Sequence, residues 1–250
     1  MDILTLAVIS IAGFLLGILG AIIGSTLLVL VPLLNFLGLP IHTALGTGKM
    51  SVLSRELIPI FEFKKHNLIS LKTIMPFTIA GVVFSFLGTN IILSLSEKIV
   101  TIIIGLFMVI ISFIILLNHD IGLKEGKIKS PGSASAFSLV SGALIGFYQG
   151  IFGGGANVFI IFAFVIIFGN TFLKAVANSK IPNLIFTVAS LSIFVANGYI
   201  KWDFAVPLMI ATAIGAYFGA KLAIKKGNKF IRILFVGLVA AMAIKLLFFG

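Results

Sequence analysis

Two lysines stand inside stretches that are otherwise apolar over membrane length. They are Lys49, in Leu45-Gly46-Thr47-Gly48-Lys49-Met50-Ser51, and Lys180, in Val176-Ala177-Asn178-Ser179-Lys180-Ile181-Pro182. A charged side chain at the centre of a bilayer costs about 3 to 17 kcal/mol. Each lysine lies roughly eight residues, about 12 Å, inside its predicted helix, further than a lysine stem snorkels. Each is therefore expected to face a polar cavity, which Thr47, Ser51, Asn178 and Asn183 would share. Pro182 frees a backbone carbonyl close to Lys180, and that carbonyl also needs a partner in the cavity. Ammonium, hydroxyl and amide groups in a low-dielectric interior are the chemistry of anion binding.

A second set of anion donors is expected at two breaks, Gly24-Ser25-Thr26 and Gly153-Gly154-Gly155-Ala156-Asn157, each placed where a short helix begins. A helix N-terminus offers free N–H groups and a positive dipole end, and glycine lets an anion approach the backbone closely. Glu56 is the most deeply placed carboxylate and a candidate for coupling to an ion, H+ or Na+. Pairing with Arg55 near the inner surface is its other expected role, since neither residue has a charged counterpart at Phe186 and Thr187. Tyr148, Tyr199 and Trp202 read as interfacial anchors near helix ends, with Tyr148 and Gln149 within reach of the second break.

Other chemistries find no residues. There is no cysteine, so no thiol nucleophile, disulfide or thiolate metal site, and His42, His66 and His119 are too scattered to form a ligand cluster. No serine lies in a Gly-x-Ser-Gly context. An enzyme, a resident metal and an organic cofactor are not expected. The net charge of +11 resides mainly in lysines of short loops between apolar runs, the positive-inside pattern of a plasma membrane protein and not a nucleic-acid-binding stripe.

The elements that must position these residues are membrane helices. The chain has 250 residues, 60% hydrophobic and only 10% charged, with a mean hydropathy of +1.26. Several apolar runs exceed the roughly 18 residues a spanning helix needs, and the strict alternation of a β-barrel is missing. Nothing reads as a cleaved signal, so Ile3 to Ile23 is taken as a retained span. The short segments 27–37 and 156–168 are half-helices, either tilted spans or re-entrant. The first is followed by helices over Ile41 to Phe63, Leu71 to Leu93 and Ile99 to Leu117.

The second half repeats the first. Gly38, Ala44, Lys49, Leu53, Ile69, Pro76, Ala80, Gly88 and Lys98 each match a residue 131 positions on, from Gly169 through Lys180 and Pro207 to Lys229. Gly13, Gly17 and Gly24 match Gly142, Gly146 and Gly153 at a spacing of 129, as if two residues were inserted around Gly154-Gly155. The basic loop follows the third helix in the first half (Lys64, Lys65, Lys72) and the fourth in the second half (Lys221, Lys225, Lys226, Lys229, Arg232). The positive-inside rule therefore sets the two copies in opposite orientation. The predicted fold is an all-α polytopic membrane protein of two inverted repeats, about five helical segments each, with interrupted or short helices near the midplane. Residues 1–117 form the first repeat, 118–137 a cytoplasmic linker and 138–250 the second repeat, with both termini outside.

At these residues the chain resembles the TauE/SafE family of membrane permeases, the sulfite exporters. Gly146-Phe147-Tyr148-Gln149-Gly150-Ile151-Phe152-Gly153, Lys174-Ala175-Val176-Ala177-Asn178-Ser179-Lys180-Ile181-Pro182-Asn183 and Gly215-Ala216-Tyr217-Phe218-Gly219-Ala220-Lys221 look like its recurrent motifs. Ala44-Leu45-Gly46-Thr47-Gly48-Lys49 is similar to its Gly-Thr-x-Lys segment. Two departures are the thinned glycine run at Gly24-Ser25-Thr26 and Gln149, where relatives often carry an acidic residue. The resemblance implies export of a small anion such as sulfite or a sulfonate. The expected function is a secondary transporter moving a small anion outward across a prokaryotic plasma membrane, its substrate held between the repeats. An anion channel is the alternative, and a homo-oligomer is left open.

Overall fold

The computed structural model describes residues 3–24, 26–96, 99 and 131–249. Ser25, Glu97, Lys98, the predicted fifth helix beyond Ile99, the linker as far as residue 130, and the terminal residues Met1, Asp2 and Gly250 lie outside the described residues. Among the described residues the chain is all helix. The elements are α1 Ile3–Ile22, α2 Leu27–Phe36, α3 Ile41–Lys65, α4 Leu71–Ser94, α5 Pro131–Ile151, α6 Ala156–Phe168, α7 Phe172–Ala196 and α8 Trp202–Phe249.

The boundaries follow local chemistry. Helix α5 begins at Pro131, inside the stretch 118–137 read as linker. Proline's preset φ and missing N–H suit a first helical position, so the Pro131-Gly132-Ser133 signal opens a helix here and does not mark a loop. Helix α8 leaves helical geometry at Gly227 (φ 70°, ψ −165°), so it is two helices joined inside the basic stretch where a loop was expected. Left-handed backbone recurs at matching places: Gly24 and Gly153 (φ 85° and 78°), Gly38 and Gly169 (91° and 61°), Asn67 and Gly198 (72° at the latter, 53° at Asn67). Asn67 is the residue that tolerates this region best after glycine.

Packing is exchanged between the halves. Helix α1 packs on α8 as α5 packs on α4; α3 packs on α8 as α7 packs on α4; α2 lies on α3 as α6 lies on α7, and α3 and α7 cross each other. The crossings recur residue by residue. A methyl group at Gly17 would meet the carbonyl oxygen of Thr212 at 2.6 Å, and one at Gly146 would collide with that of Gly81, the residue 131 before Thr212. Gly219 stands against Ile18 O as Gly88 stands against Phe147 O. These contacts are small residues letting membrane helices approach backbone to backbone.

Among the described residues, four stretches are long and apolar enough to cross a membrane: Ile3–Ile22, Ile74–Ser94, Phe172–Ala196 and Trp202–Leu234. Their outward faces are apolar, with Ile11, Leu15, Val83, Phe86, Ile210, Ile214 and Phe218 all exposed. A continuous apolar exterior of this kind suits lipid and not water. This is a membrane protein. Helix α3 is long enough to span but carries Lys49, Arg55, Glu56 and Glu62, all buried.

Replacing Gly146 by Ile should cost about 3 kcal/mol, the upper end of overpacking penalties, because Gly81 backbone cannot yield as a side chain can. Thermal unfolding in detergent checks this against Leu144→Ala, whose parent side chain is 67% exposed and should leave stability unchanged.

Candidate functional site

The site is built where four helix ends meet. Helix α1 stops at Ile22 and α2 restarts at Leu27; α5 stops at Ile151 and α6 restarts at Ala156. The two breaks abut. A methyl group at Gly24 would overlap the Asn157 side chain, with Cγ at 2.6 Å, while one at Gly153 would lie 3.2 Å from Leu27 Cδ1 and one at Gly154 3.1 Å from Leu28 Cδ2. Neither Thr26 nor Gly155 caps its short helix with a side-chain hydrogen bond. Two helix N-termini therefore bring their positive ends together in the interior.

The lysines serve the opposite ends of the interrupted helices. Lys49 Nζ, fully buried, donates to Gln149 O at 2.6 Å, Gly150 O at 3.2 Å and Ser190 Oγ at 2.8 Å. Lys180 Nζ, also fully buried, donates to Gly20 O at 3.1 Å. Gln149 and Gly20 occupy matching places in the last turns of α5 and α1, at the spacing of 129. Each half thus sends a lysine across to the C-terminal carbonyls of the other half's first helix, groups left without intrahelical partners and at the negative dipole end. Both lysines were expected to face a polar cavity; each is fully buried on protein acceptors. That those acceptors include the other half's backbone was not expected.

The two lysines differ in what remains. All three Lys49 donors are taken, and Phe194 lies 5.6 Å from its ammonium. Lys180 makes one hydrogen bond and faces Glu56 Oε2 at 3.2 Å. Glu56 is fully buried; Arg55 Nη2 lies 2.6 Å from its Oε1, and Asn183 Nδ2 donates to the same oxygen at 2.9 Å. The Arg55–Glu56 pair expected near the inner surface is instead in the interior, because the crossing of α3 and α7 sets it against Lys180. Arg55 Nη1 donates to Thr26 Oγ1 and to Gly24 O, tying the pair to the first break.

Of the other expected residues, Thr47 and Asn178 hold the fold. Lys201 N donates to Thr47 Oγ1 at 3.0 Å, and Ser70 N to Asn178 Oδ1 at 2.8 Å, matching bonds 131 residues apart. Each fastens the start of one half's fourth helix to the other half's third. Ser51 Oγ donates to Gly48 O on its own helix. Tyr148 is no interfacial anchor: it is buried, and its hydroxyl donates to Gly154 O, bracing the second break. Gln149 Nε2 donates to Thr187 Oγ1 at 3.0 Å, and its Oε1 lies at Gly153. Both amide atoms of Asn157 and the outer atoms Gln149 Oε1, Asn183 Oδ1 and Arg55 Nε are buried without a hydrogen-bond partner. Ser25 lies outside the described residues.

Sequence reasoning missed Gly20, Thr89 and Ser190. Thr89 Oγ1 donates to Gly150 O at 3.1 Å and meets Ser190 Oγ at 2.9 Å, completing the pocket of Lys49. Hydroxyls and glycines in apolar helices are too common to flag singly, and no spacing in the sequence points to these three. Among the described residues no group of histidine, aspartate and glutamate side chains has the geometry of a metal site.

Residues 9–246 match the family model described as sulfite exporter TauE/SafE. A probable membrane transporter protein of Haemophilus influenzae is 29% identical over 243 residues, covering 97% of this chain and 94% of its own length. The probable membrane transporter protein YfcA of Escherichia coli K12 is 27% identical over 248 residues, covering 98% and 90%. A probable membrane transporter protein of Methanocaldococcus jannaschii is 28% identical over 244 residues, covering 90% and 88%. No solved structure gives a significant match.

Lys49→Met should destabilise the protein by about 1–3 kcal/mol, since Gln149 O is left a buried acceptor without its donor, while Gly150 O and Ser190 Oγ keep Thr89 Oγ1. Thermal unfolding of the detergent-solubilised variant measures it. An unchanged midpoint would mean that water satisfies this carbonyl.

Proposed function

The chain belongs to the sulfite exporter TauE/SafE family, a family of membrane transporters, and from that premise we propose that it is a secondary transporter exporting a small anion. The carrying observation is a charge imbalance. Among the described residues, buried Arg55 and Lys180 share one carboxylate, Glu56, and buried Lys49 has none in contact. Isolated buried ions are strongly disfavoured, so a surplus of cations favours a diffusible anion as the missing partner.

Lys49 is saturated by the protein, which leaves Lys180, Arg55, the amide of Asn157 and the uncapped N-terminus of α6 as the groups to meet it. The anion then lies between the two breaks, beside Gly24, Thr26, Gly153, Gly154, Gly155 and Asn183. Sulfite or an organic sulfonate fits the donor set, which offers several N–H groups to oxygens spread over one centre. The two halves are inverted copies in a prokaryotic plasma membrane, with the basic ends of α3 and of the first part of α8 inside. The exchanged packing and the matching cross-half bonds support this symmetry.

The test is uptake into proteoliposomes of sulfite and of methanesulfonate. Flux should saturate, which a channel's would not over the same range, and Lys180→Met should abolish it while the purified variant remains folded. Flux retained in Lys180→Met would move the site elsewhere.

Orientation is checked separately, and the absence of native cysteine makes the labelling clean. Single cysteines at His66 and Lys225 should be protected from an impermeant thiol reagent in intact cells, and one at Gly198 labelled. Labelling His66 and Lys225 on opposite sides would overturn the inverted arrangement.

A further inference from the structure

The charge cluster is asymmetric in a way the duplication does not require. Glu56 corresponds to Thr187 in the second half, and Thr187 Oγ1 donates to Asn183 O at 2.7 Å within its own helix. The first half alone places a carboxylate at the crossing. Its two oxygens differ. Oε1 is held twice, by Arg55 Nη2 at 2.6 Å and by Asn183 Nδ2 at 2.9 Å. Oε2 faces Lys180 Nζ at 3.2 Å and makes no hydrogen bond, although it is fully buried.

We propose that Glu56 is a tethered anion that holds Lys180 until substrate arrives, and that each substrate anion is bound together with one proton, taken up on Glu56 Oε2. The inference rests on the reading of this interior as an anion site. An anion approaching Lys180 and Arg55 meets the carboxylate already paired with them. Two negative groups sharing one set of cations cannot both stay ionised at low cost, and the one able to take a proton becomes neutral. Protonation at Oε2 leaves both contacts of Oε1 in place and removes only the ion pair with Lys180. It also turns Oε2 from an acceptor into an O–H donor, aimed where the anion must sit. The proton comes from water on the side to which the site is open, and it leaves the same way when the anion does. Transport is then electroneutral anion–proton symport, the bound pair adding no net charge to the site, and it runs outward when the anion accumulated inside outweighs the proton gradient.

The groups facing Glu56 set the direction of the pH dependence. They are Arg55 on its own helix and Lys180 with Asn183 on α7. Helices α1 and α2 carry no titratable side chain among their described residues, and α8 meets this part of α3 through Thr212, which bonds Ser51 O and Ser54 Oγ. The only carboxylate among these groups is Glu56, so lower pH favours anion binding.

The experiment measures binding of methanesulfonate, whose charge is constant between about pH 5 and pH 8, to the purified protein and to Glu56→Gln, with proton uptake followed by an indicator dye in weak buffer. In the unaltered protein, affinity should rise as pH falls, by up to about tenfold per pH unit, with about one proton taken up per anion bound. Glu56→Gln keeps an oxygen for Arg55 and offers N–H toward Lys180. It should bind with no pH dependence, and at least about tenfold more tightly at the alkaline end. Binding by the unaltered protein without proton uptake, or weaker binding by Glu56→Gln at every pH, overturns the proposal while leaving the anion site intact. If Glu56→Gln fails to fold, proton uptake by the unaltered protein decides alone. If neither protein binds methanesulfonate, sulfite or sulfate at any pH, the anion-site reading itself falls, and this inference with it.

Discussion

An interrupted helix in a membrane leaves backbone groups that water cannot reach, and the rest of this structure is arranged around meeting that demand. In the bilayer core each unmet N–H or C=O costs several kcal/mol. The chain interrupts itself twice, at Gly24 and at Gly153, and sets the two interruptions against each other. The C-terminal carbonyls of α1 and α5 are taken by lysine side chains. The N-termini of α2 and α6 have no side-chain cap. The C-terminal ends are thus met by side chains of the other half, whereas at the N-terminal ends Val29, Leu30, Ala156 and Val158 N–H groups bond only local backbone carbonyls.

Reciprocal capping also explains how the halves are held together. Each lysine crosses from one half to the other, as do the paired bonds of Thr47 with Lys201 N and Asn178 with Ser70 N. The glycine crossings join α1 to α8 and α5 to α4, again across the halves. A single half would leave its lysine, its third-helix polar residue and its first helix's carbonyls without partners. The two halves form one fold because each supplies partners to the other.

The departures from symmetry are where charge gathers. Lys49 meets three acceptors and is closed, whereas Lys180 meets one, with Glu56 beside it. Arg55 and Glu56 occur in one half only, and their counterparts Phe186 and Thr187 are part of the helix packing. Gln149 stands where its counterpart is Gly20, so the second break has a side-chain amide where the first has only backbone. Matched parts build the frame, and the unmatched residues concentrate charge and unpaired polar atoms around the place where the two breaks abut.

Much of this was legible in the sequence. Hydropathy and length announced membrane helices, and the constant spacing over Gly, Pro and Lys pointed to residues that make corresponding contacts, such as Thr47 with Lys201 N and Asn178 with Ser70 N. The intolerance of the bilayer for charge marked Lys49, Lys180 and Glu56, since a deep ionisable residue needs a reason wherever it points. The partners of those residues were not legible. A one-dimensional spacing says which residues correspond, not which helices cross, and the crossing of α3 with α7 alone brings Glu56 to Lys180 and Ser190 to Lys49. Thr47 and Asn178 looked like cavity donors because polarity in an apolar helix is ambiguous between a ligand and a backbone N–H across the interface. Only the packed structure assigned them to the backbone. Burial marks a residue in the sequence, but its hydrogen-bond partner is fixed by the approach of elements more than a hundred residues apart.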